Sequence, residues 1–354
     1  MMQTRKVKGM KVTIKQIAEE AGVSVTTVSN VINNRSHRVS KEKLSMINSI
    51  IKKYNYTPNL NARSLVKAPS KLIGLIYYSK RHSKSIMNPF VSEVLAGVEY
   101  EAKGQDYFVL FHNVQTAEDL IKIQTNWKFA GFVIVGVPSG MFKEIDELLE
   151  VPVVYIDTVL DGPDLRKALS NPNTMFVNTE DTELEAAATR YLIEKGHKKI
   201  GFVSRGFDEN EPSVNEQRYG GYKKAMLENN LSELCKIERS QNVEFTDYLN
   251  ELKALTAVVV SEDLLAIELI KFLKEQAIDL SVVGMDDIIF ASLVEPPLTT
   301  VRIDHIEKGS IAINKLIANI SETFAGQYTS VDGELIERES VKDITNTSEE
   351  KEES

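Results

Sequence analysis

Residues 13–33, TIKQIAEEAGVSVTTVSNVIN, carry apolar positions at helical spacing broken by one glycine. Ile14, Ile17, Ala18 and Ala21 share one helix face. Thr13 and Gln16 have capping-box spacing, which predicts a helix beginning at Ile14. Gly22 stops it and supplies a tight turn. Ser24 then caps a second helix, Val25 to about Ile32, with Val28 and Val31 facing a small core. Ser40 opens a third helix to about Tyr54, with Leu44, Ile47, Ile51 and Tyr54 inward. This is a helix-turn-helix head. The outward face of its second helix holds Val25, Thr26, Ser29, Asn30 and Asn33, side chains able to reach base edges in a major groove. Asn30 suits bidentate pairing with adenine, and Thr26 suits a thymine methyl. Thr27 suits a phosphate contact or a cap.

Residues 58–65, PNLNARSL, form a different kind of segment. Pro58 fits a first helical turn, but the stretch is too short to be a stable helix alone in water. It is suited to fold on DNA. After Lys71 the pattern alternates between short apolar runs and helical spacing. Strands are expected at 72–77, 107–112, 131–135, 153–156, 175–177, 200–204, 257–260 and 281–284. Helices are expected at 90–103, up to Lys195, and at about 220–229. That alternation predicts two α/β subdomains with parallel sheets. Ligands bind such sheets at the carboxyl ends of strands, here in a cleft between the halves.

The charge distribution sharpens the division. Residues 1–71 hold 14 of the 42 Lys/Arg and 3 of the 51 Asp/Glu, giving +11. The remaining 28 basic and 48 acidic residues give −20. A basic arm on an acidic body favours phosphate contact at one end only. At 354 residues the chain has room for two or three domains. No run approaches the ~18 apolar residues of a membrane span. The basic N-terminus lacks the apolar core of a secretory signal, and Met10 offers a second start beside Met1. The single Cys235 excludes an internal disulfide and fits a reducing cytosol, so a cytoplasmic location is expected.

The head and PNLNARSL resemble the lactose-repressor (LacI) family of bacterial transcription regulators. GHKKIGFV (196–203), SVVGMDD (281–287), PPLTTVR (296–302) and RES (338–340) extend the resemblance over roughly residues 12–341. It implies a DNA-binding domain at 12–57 and a hinge helix and linker at 58–70. An effector-binding and dimerisation domain at 71–341 resembles a periplasmic sugar-binding protein. Its first lobe is expected at about 71–174 and 304–326, its second at about 175–302 and 327–341. The acidic stretch 342–354 is expected to be a disordered tail.

In that family, two hinge helices of a dimer pack in the minor groove, and a leucine wedges a central base step. Leu65 holds that position, and an apolar wedge of this kind kinks the duplex and gains contacts. Ala62 is small enough for close helix approach, and Arg63 is placed for phosphate or minor-groove contact. Asn59, Thr13 and the loop residue Arg38 complete the DNA-contacting set. Asn61 stands where the family usually has an aliphatic residue.

For the effector, Arg218 in RYGGY matches an arginine that the family uses to grip hydroxyls or carboxylates, its planar fork suiting vicinal hydroxyls. Asp286 matches a pocket carboxylate. Asp157 follows a strand. Phe90 can stack on an apolar ring face, and Tyr78 ends the first strand. Glu262 replaces a common asparagine and adds a charge, pointing to a polyol or cationic ligand or to a changed polarity. Trp127 precedes a strand and reads as structural.

The resemblance thus implies a repressor of carbohydrate uptake or catabolism genes. It works as a homodimer on a pseudo-palindromic double-stranded operator, and a small-molecule effector, a sugar or its derivative, switches it. The alternative is a solute-binding receptor without DNA function, which would need a signal peptide and no basic head. An enzyme is not expected, since P-loop, G-x-G-x-x-G and nucleophile-elbow motifs are absent. His37, His82, His112, His197 and His305 lack metal-ligand spacing, so neither a cofactor nor a metal is expected.

Overall fold

The structure, a computed structural model, describes residues 12–32, 35, 39–54, 56, 69–79, 85–240, 242–323 and 326–345. It divides into two units, Met1–Pro69 and Ser70–Ser354.

The first unit contains α1 (Ile14–Glu20), α2 (Val25–Ile32) and α3 (Lys41–Lys53). Thr13 and Gln16 cap α1 reciprocally. The Gln16 N–H donates to Thr13 Oγ1 at 3.3 Å and the Thr13 N–H to Gln16 Oε1 at 2.8 Å. Ser24 Oγ accepts from the Thr27 N–H at 3.1 Å and satisfies an orphan donor of α2. Ile17, Ala18, Ala21, Val28, Val31, Ile47 and Ile50 form the core. Tyr54 does not point inward as expected. It is 39% exposed, with Lys53 Nζ 4.7 Å from its ring, and Tyr56 packs on the core in its place. The α3 helix ends at Lys53, so Tyr54 leaves the apolar stripe.

The second unit holds two six-stranded sheets. The first runs β2 (Phe108–Val114), β1 (Leu72–Tyr78), β3 (Gly131–Val135), β4 (Val153–Ile156), β5 (Thr174–Thr179) and β11 (Tyr328–Val331), all parallel. The second runs β7 (Lys236–Arg239), β6 (Ile200–Arg205), β8 (Ala257–Val260), β9 (Ser281–Asp286), β10 (Thr299–Ile303) and β12 (Gly333–Ile336). Only the edge pair β10–β12 is antiparallel there. The helices are α4 (Pro89–Gly104), α5 (Ala117–Asn126), α6 (Ser139–Leu148), α7 (Gly162–Ala168), α8 (Asp181–Glu194), α9 (Val214–Glu228), α10 (Leu249–Ala254), α11 (Asp263–Glu275) and α12 (His305–Ile320). Central strands such as β3 and β4 are buried at every position, which is why they read as unbroken apolar runs.

Several boundaries differ from those expected. Strand β5 belongs to the first lobe, where Thr174–Val177 pair with Val153–Ile156, so the crossing to the second lobe follows Thr179. Strand β11 also joins the first sheet beside β5, and the last crossing falls at Asp332, after the expected residue 327. Helix α9 starts at Val214, capped by Ser213, and therefore contains Arg218. Gly221 sits inside it because a Cβ there would collide with the Thr182 carbonyl oxygen of α8. Residues 342–345 are packed on the second lobe: the Ile344 N–H donates to Lys195 O at 2.9 Å, and His197 bridges Thr256 Oγ1 and Lys342 O at 3.0 Å each. Burial pushes the half-buried Cys235 thiol up to about 11, which makes it a poor nucleophile.

Candidate functional site

The carboxyl ends of both sheets face a cavity of about 700 Å³. Tyr78 ends β1 and Asp157 follows β4, both in the first lobe. Glu262 follows β8 and Asp286 ends β9, both in the second. Phe90 comes from the first turn of α4 and Arg218 from α9. All six line the cavity. Asp157 (φ 51°), Asp286 (φ 115°) and Asp287 (φ 54°) have left-handed backbones. Such conformations are costly for most residues and best tolerated by Asn and Asp.

Arg218 is 7% exposed. Its Nε donates to Asp181 Oδ1 at 2.8 Å, its Nη1 donates to the Ser261 carbonyl, and its Nη2 lies 3.7 Å from Asp286 Oδ1. Burial opposes its charge, but Asp181, Asp286 and Glu185 outweigh burial and hold the guanidinium above its ordinary value. Asp181 is itself buried and accepts from Thr179 Oγ1 at 2.7 Å. Asp263, at the start of α11, accepts from Thr300 Oγ1 at 2.6 Å and from the Ile288 N–H at 3.0 Å. Burial first, then the nearby Asp286, pushes its carboxyl well above the usual range.

Two carboxylates are less available than the sequence suggested. Lys308 Nζ donates to Asp157 Oδ1 at 2.8 Å, and Arg205 Nε donates to Glu262 Oε1 at 2.8 Å. The added charge of Glu262 is therefore matched within the protein. The sequence reading also missed His305, Lys308, Arg205 and Glu211. His305 and Glu211 line the cavity. His305 and Lys308 begin α12, three residues apart on one face, directly after β10. That spacing after a strand was the available signal. Trp127 is 46% exposed at the end of α5 and lies outside the lining.

In the head, Val25 is 43% exposed and Thr26 is exposed, whereas Thr27, Ser29 and Asn30 are half-buried. The Thr27 hydroxyl is 2.8 Å from Ser24 Oγ, so it completes the cap, and the Thr13 hydroxyl caps α1. Asn33, Arg38, Asn59, Ala62, Arg63 and Leu65 lie outside the described residues, as does the hinge segment. Among the described residues no cluster of His, Cys, Asp or Glu is arranged to hold a metal, and no helix is long and apolar enough to cross a membrane.

Residues 13–59 match the model for bacterial regulatory proteins of the lacI family. Residues 70–253 match that for periplasmic binding proteins and the sugar binding domain of the LacI family, and residues 189–341 match a periplasmic binding protein-like domain. The HTH-type transcriptional repressor PurR of Haemophilus influenzae is 31% identical over 357 residues, covering 94% of this chain and 99% of that protein. The NTD biosynthesis operon regulator NtdR of Bacillus subtilis is 30% identical over 330 residues, covering 87% and 93%. The crystal structure of the lac repressor dimer bound to operator and the anti-inducer ONPF has a TM-score of 0.80 at 22% identity, covering 94% and 100%, and shares the fold. Matches over both head and body do not favour the receptor alternative, and these relatives are a transcriptional repressor and an operon regulator. The chain belongs to the LacI family of bacterial regulatory proteins and is a DNA-binding transcriptional repressor.

Proposed function

We propose that this repressor is switched by a small hydroxylated effector, a sugar or sugar derivative, bound between the two lobes of its body. The observation that carries this is the convergence of Tyr78, Phe90, Asp157, Arg218, Glu262 and Asp286 on one cavity fed by both lobes. Fixed carboxylates and a guanidinium fork beside an aromatic ring suit a molecule with hydroxyls on its edges and an apolar ring face. A ligand touching both lobes stabilises one closure state over another, which is the requirement for switching.

The repressor acts as a homodimer on two inverted half-sites. Val25, Thr26, Ser29, Asn30 and Asn33 read bases. Thr13, Thr27 and Arg38 position the head. Asn59, Ala62, Arg63 and Leu65 engage the minor groove at the centre. Work on chromosomal DNA places it in the cytoplasm. A duplex recovered by selection from a random pool is expected to contain two inverted half-sites. Hexoses, disaccharides, polyols and nucleosides are then screened for a change of about tenfold in affinity for that duplex, or about 1.4 kcal/mol. Phe90→Ala and Asp286→Asn should remove the response. A response that survives both substitutions, or a selected duplex with a single half-site, refutes the reading.

A further inference from the structure

Among the described residues, Asp157, Asp208, Glu211, Glu238, Glu262 and Asp286 bring six carboxylates to the cavity lining, against the single guanidinium of Arg218. Cations behind the lining match three of them. Lys308 holds Asp157, Arg205 holds Glu262 and Lys236 holds Glu238, each at 2.8 Å. Arg218 is divided between Asp286 and the buried Asp181.

Asp208 and Glu211, both between β6 and α9, have no cationic partner among the described residues. Asp208 Oδ1 accepts only from the backbone N–H and side-chain amide of Asn210, at 2.9 and 3.2 Å. Glu211 reaches over the cleft. Its Oε1 lies 3.6 Å from where a Cβ on Gly140 of the first lobe would stand. Burial first, and then its charge, raises the Tyr78 phenol on that opposite lobe.

A separate observation points to a ligand. His305 is 2% exposed, lines the same cavity, and has neither ring nitrogen in a hydrogen bond. Its ring meets Phe90 edge-on with centroids 4.8 Å apart, and its Nε2 stands 3.4 Å from Asp286 Oδ1 without forming a bond. Buried polar atoms are normally satisfied, so each exception calls for a partner. A cavity ligand would reach these nitrogens only with a shift of the ring, which lines the cavity beside Phe90.

We infer that the effector is an amine-bearing sugar or comparable aminated polyol. Its ammonium group faces Glu211 and Asp208, and its hydroxyls meet His305, Asp286 and Arg218. Among the described lining residues, an anionic ligand would add charge of the sign already in surplus, and a neutral sugar would leave that surplus unmatched. The inference rests on the cleft being the effector site.

The test is calorimetric titration of the full chain below the amine pKa with three matched sets: glucosamine, galactosamine and mannosamine, their N-acetyl derivatives, and the parent hexoses. Wild type is compared with Glu211→Gln/Asp208→Asn and with Phe90→Ala. At least one amine is expected to bind about tenfold more tightly than its acetylated and parent partners. The double substitution should erase that preference while leaving parent-sugar binding unchanged. Binding of parent or acetylated sugars at equal or greater strength, or of no amine at all, overturns the inference. If a parent sugar binds best and Phe90→Ala abolishes it, the cleft reading stands without the amine. Binding that survives both variants sinks the cleft reading as well.

Discussion

Glu185 of α8 is 1% exposed, and neither of its carboxyl oxygens has a hydrogen-bond partner. Burial, reinforced by Asp181 and Asp286 and opposed by Arg218, pushes its carboxyl up to about 8. An unfolded chain releases that proton near pH ~4.3. The folded protein therefore binds the proton more tightly than the unfolded chain. The resulting stability is fully present below the unfolded value and is lost as pH rises through the folded one. Glu185→Gln keeps the shape and removes the ionisation. At ~1.4 kcal/mol per pH unit, the variant should exceed the wild type by about 2 kcal/mol at about pH 6 and about 3–4 kcal/mol at about pH 7. The gap should reach about 5 kcal/mol near pH 8 and grow no further, since the folded wild type then ionises as well. Urea unfolding of both proteins across this range, followed by far-UV circular dichroism, measures the gap directly. A gap that stays constant from about pH 5 to about pH 8 would refute the reasoning, because only an ionisation at this position gives it a slope.

Lys308→Met removes the buried cation that holds the half-buried Asp157 and should cost about 1–3 kcal/mol in urea unfolding. Adding Asp157→Asn should recover part of that loss, and no recovery would mean that Lys308 matters for packing alone. Gly221→Ala forces a Cβ onto the Thr182 carbonyl oxygen and should lower stability by about 1–3 kcal/mol, read in the same assay. Asn30→Ala should relax preference at one position of each half-site by about 1–3 kcal/mol, measured with a set of single-base operator variants. An unchanged preference at every position would remove Asn30 from the base-reading set. Leu65→Ala should weaken operator binding and leave random duplex binding nearly unchanged, and equal losses on both would reject a wedge at that position.

The elements of the body were legible because their burial is written in residue type. Ile73, Leu75 and Ile76 of β1 and the whole of β3 are buried and apolar. The sheet a strand joins was not legible from the same signal. Thr174–Thr179 is buried at all six positions, as a second-lobe strand would be, and only its pairing with Val153–Ile156 assigns it to the first lobe. The start of α9 was lost to the Gly220-Gly221 pair, which lowers helix propensity, although Ser213 carried a cap signal. In the cavity, the strand-end acids and Arg218 were visible as residues, but their partners were not. Arg205 and Lys308 neutralise Glu262 and Asp157 from positions 57 and 151 residues away in sequence. His305, a lone histidine in sequence, gains significance only when folding sets it beside Phe90 and Asp286.

The first turn of α12 gives this arrangement a mechanical meaning. Helix α12 packs against α4 and against β3, β4 and β5, so it moves with the first lobe, yet it begins directly after β10 of the second. Lys308 secures Asp157 within that first lobe at 2.8 Å. One turn earlier, His305 faces Asp286 of the other lobe at 3.4 Å, and Arg218 approaches the same Asp286 oxygen at 3.7 Å from within the second lobe. Rigid-body closure leaves the Lys308–Asp157 and Arg218–Asp286 pairs intact, and of the three only the His305–Asp286 pair spans the two lobes. A ligand contacting only Asp157, or only Arg218, binds open and closed forms alike and shifts nothing, however tightly it is held. One that touches both His305 and Asp286 meets a different spacing in each closure state and has the differential affinity that switching requires.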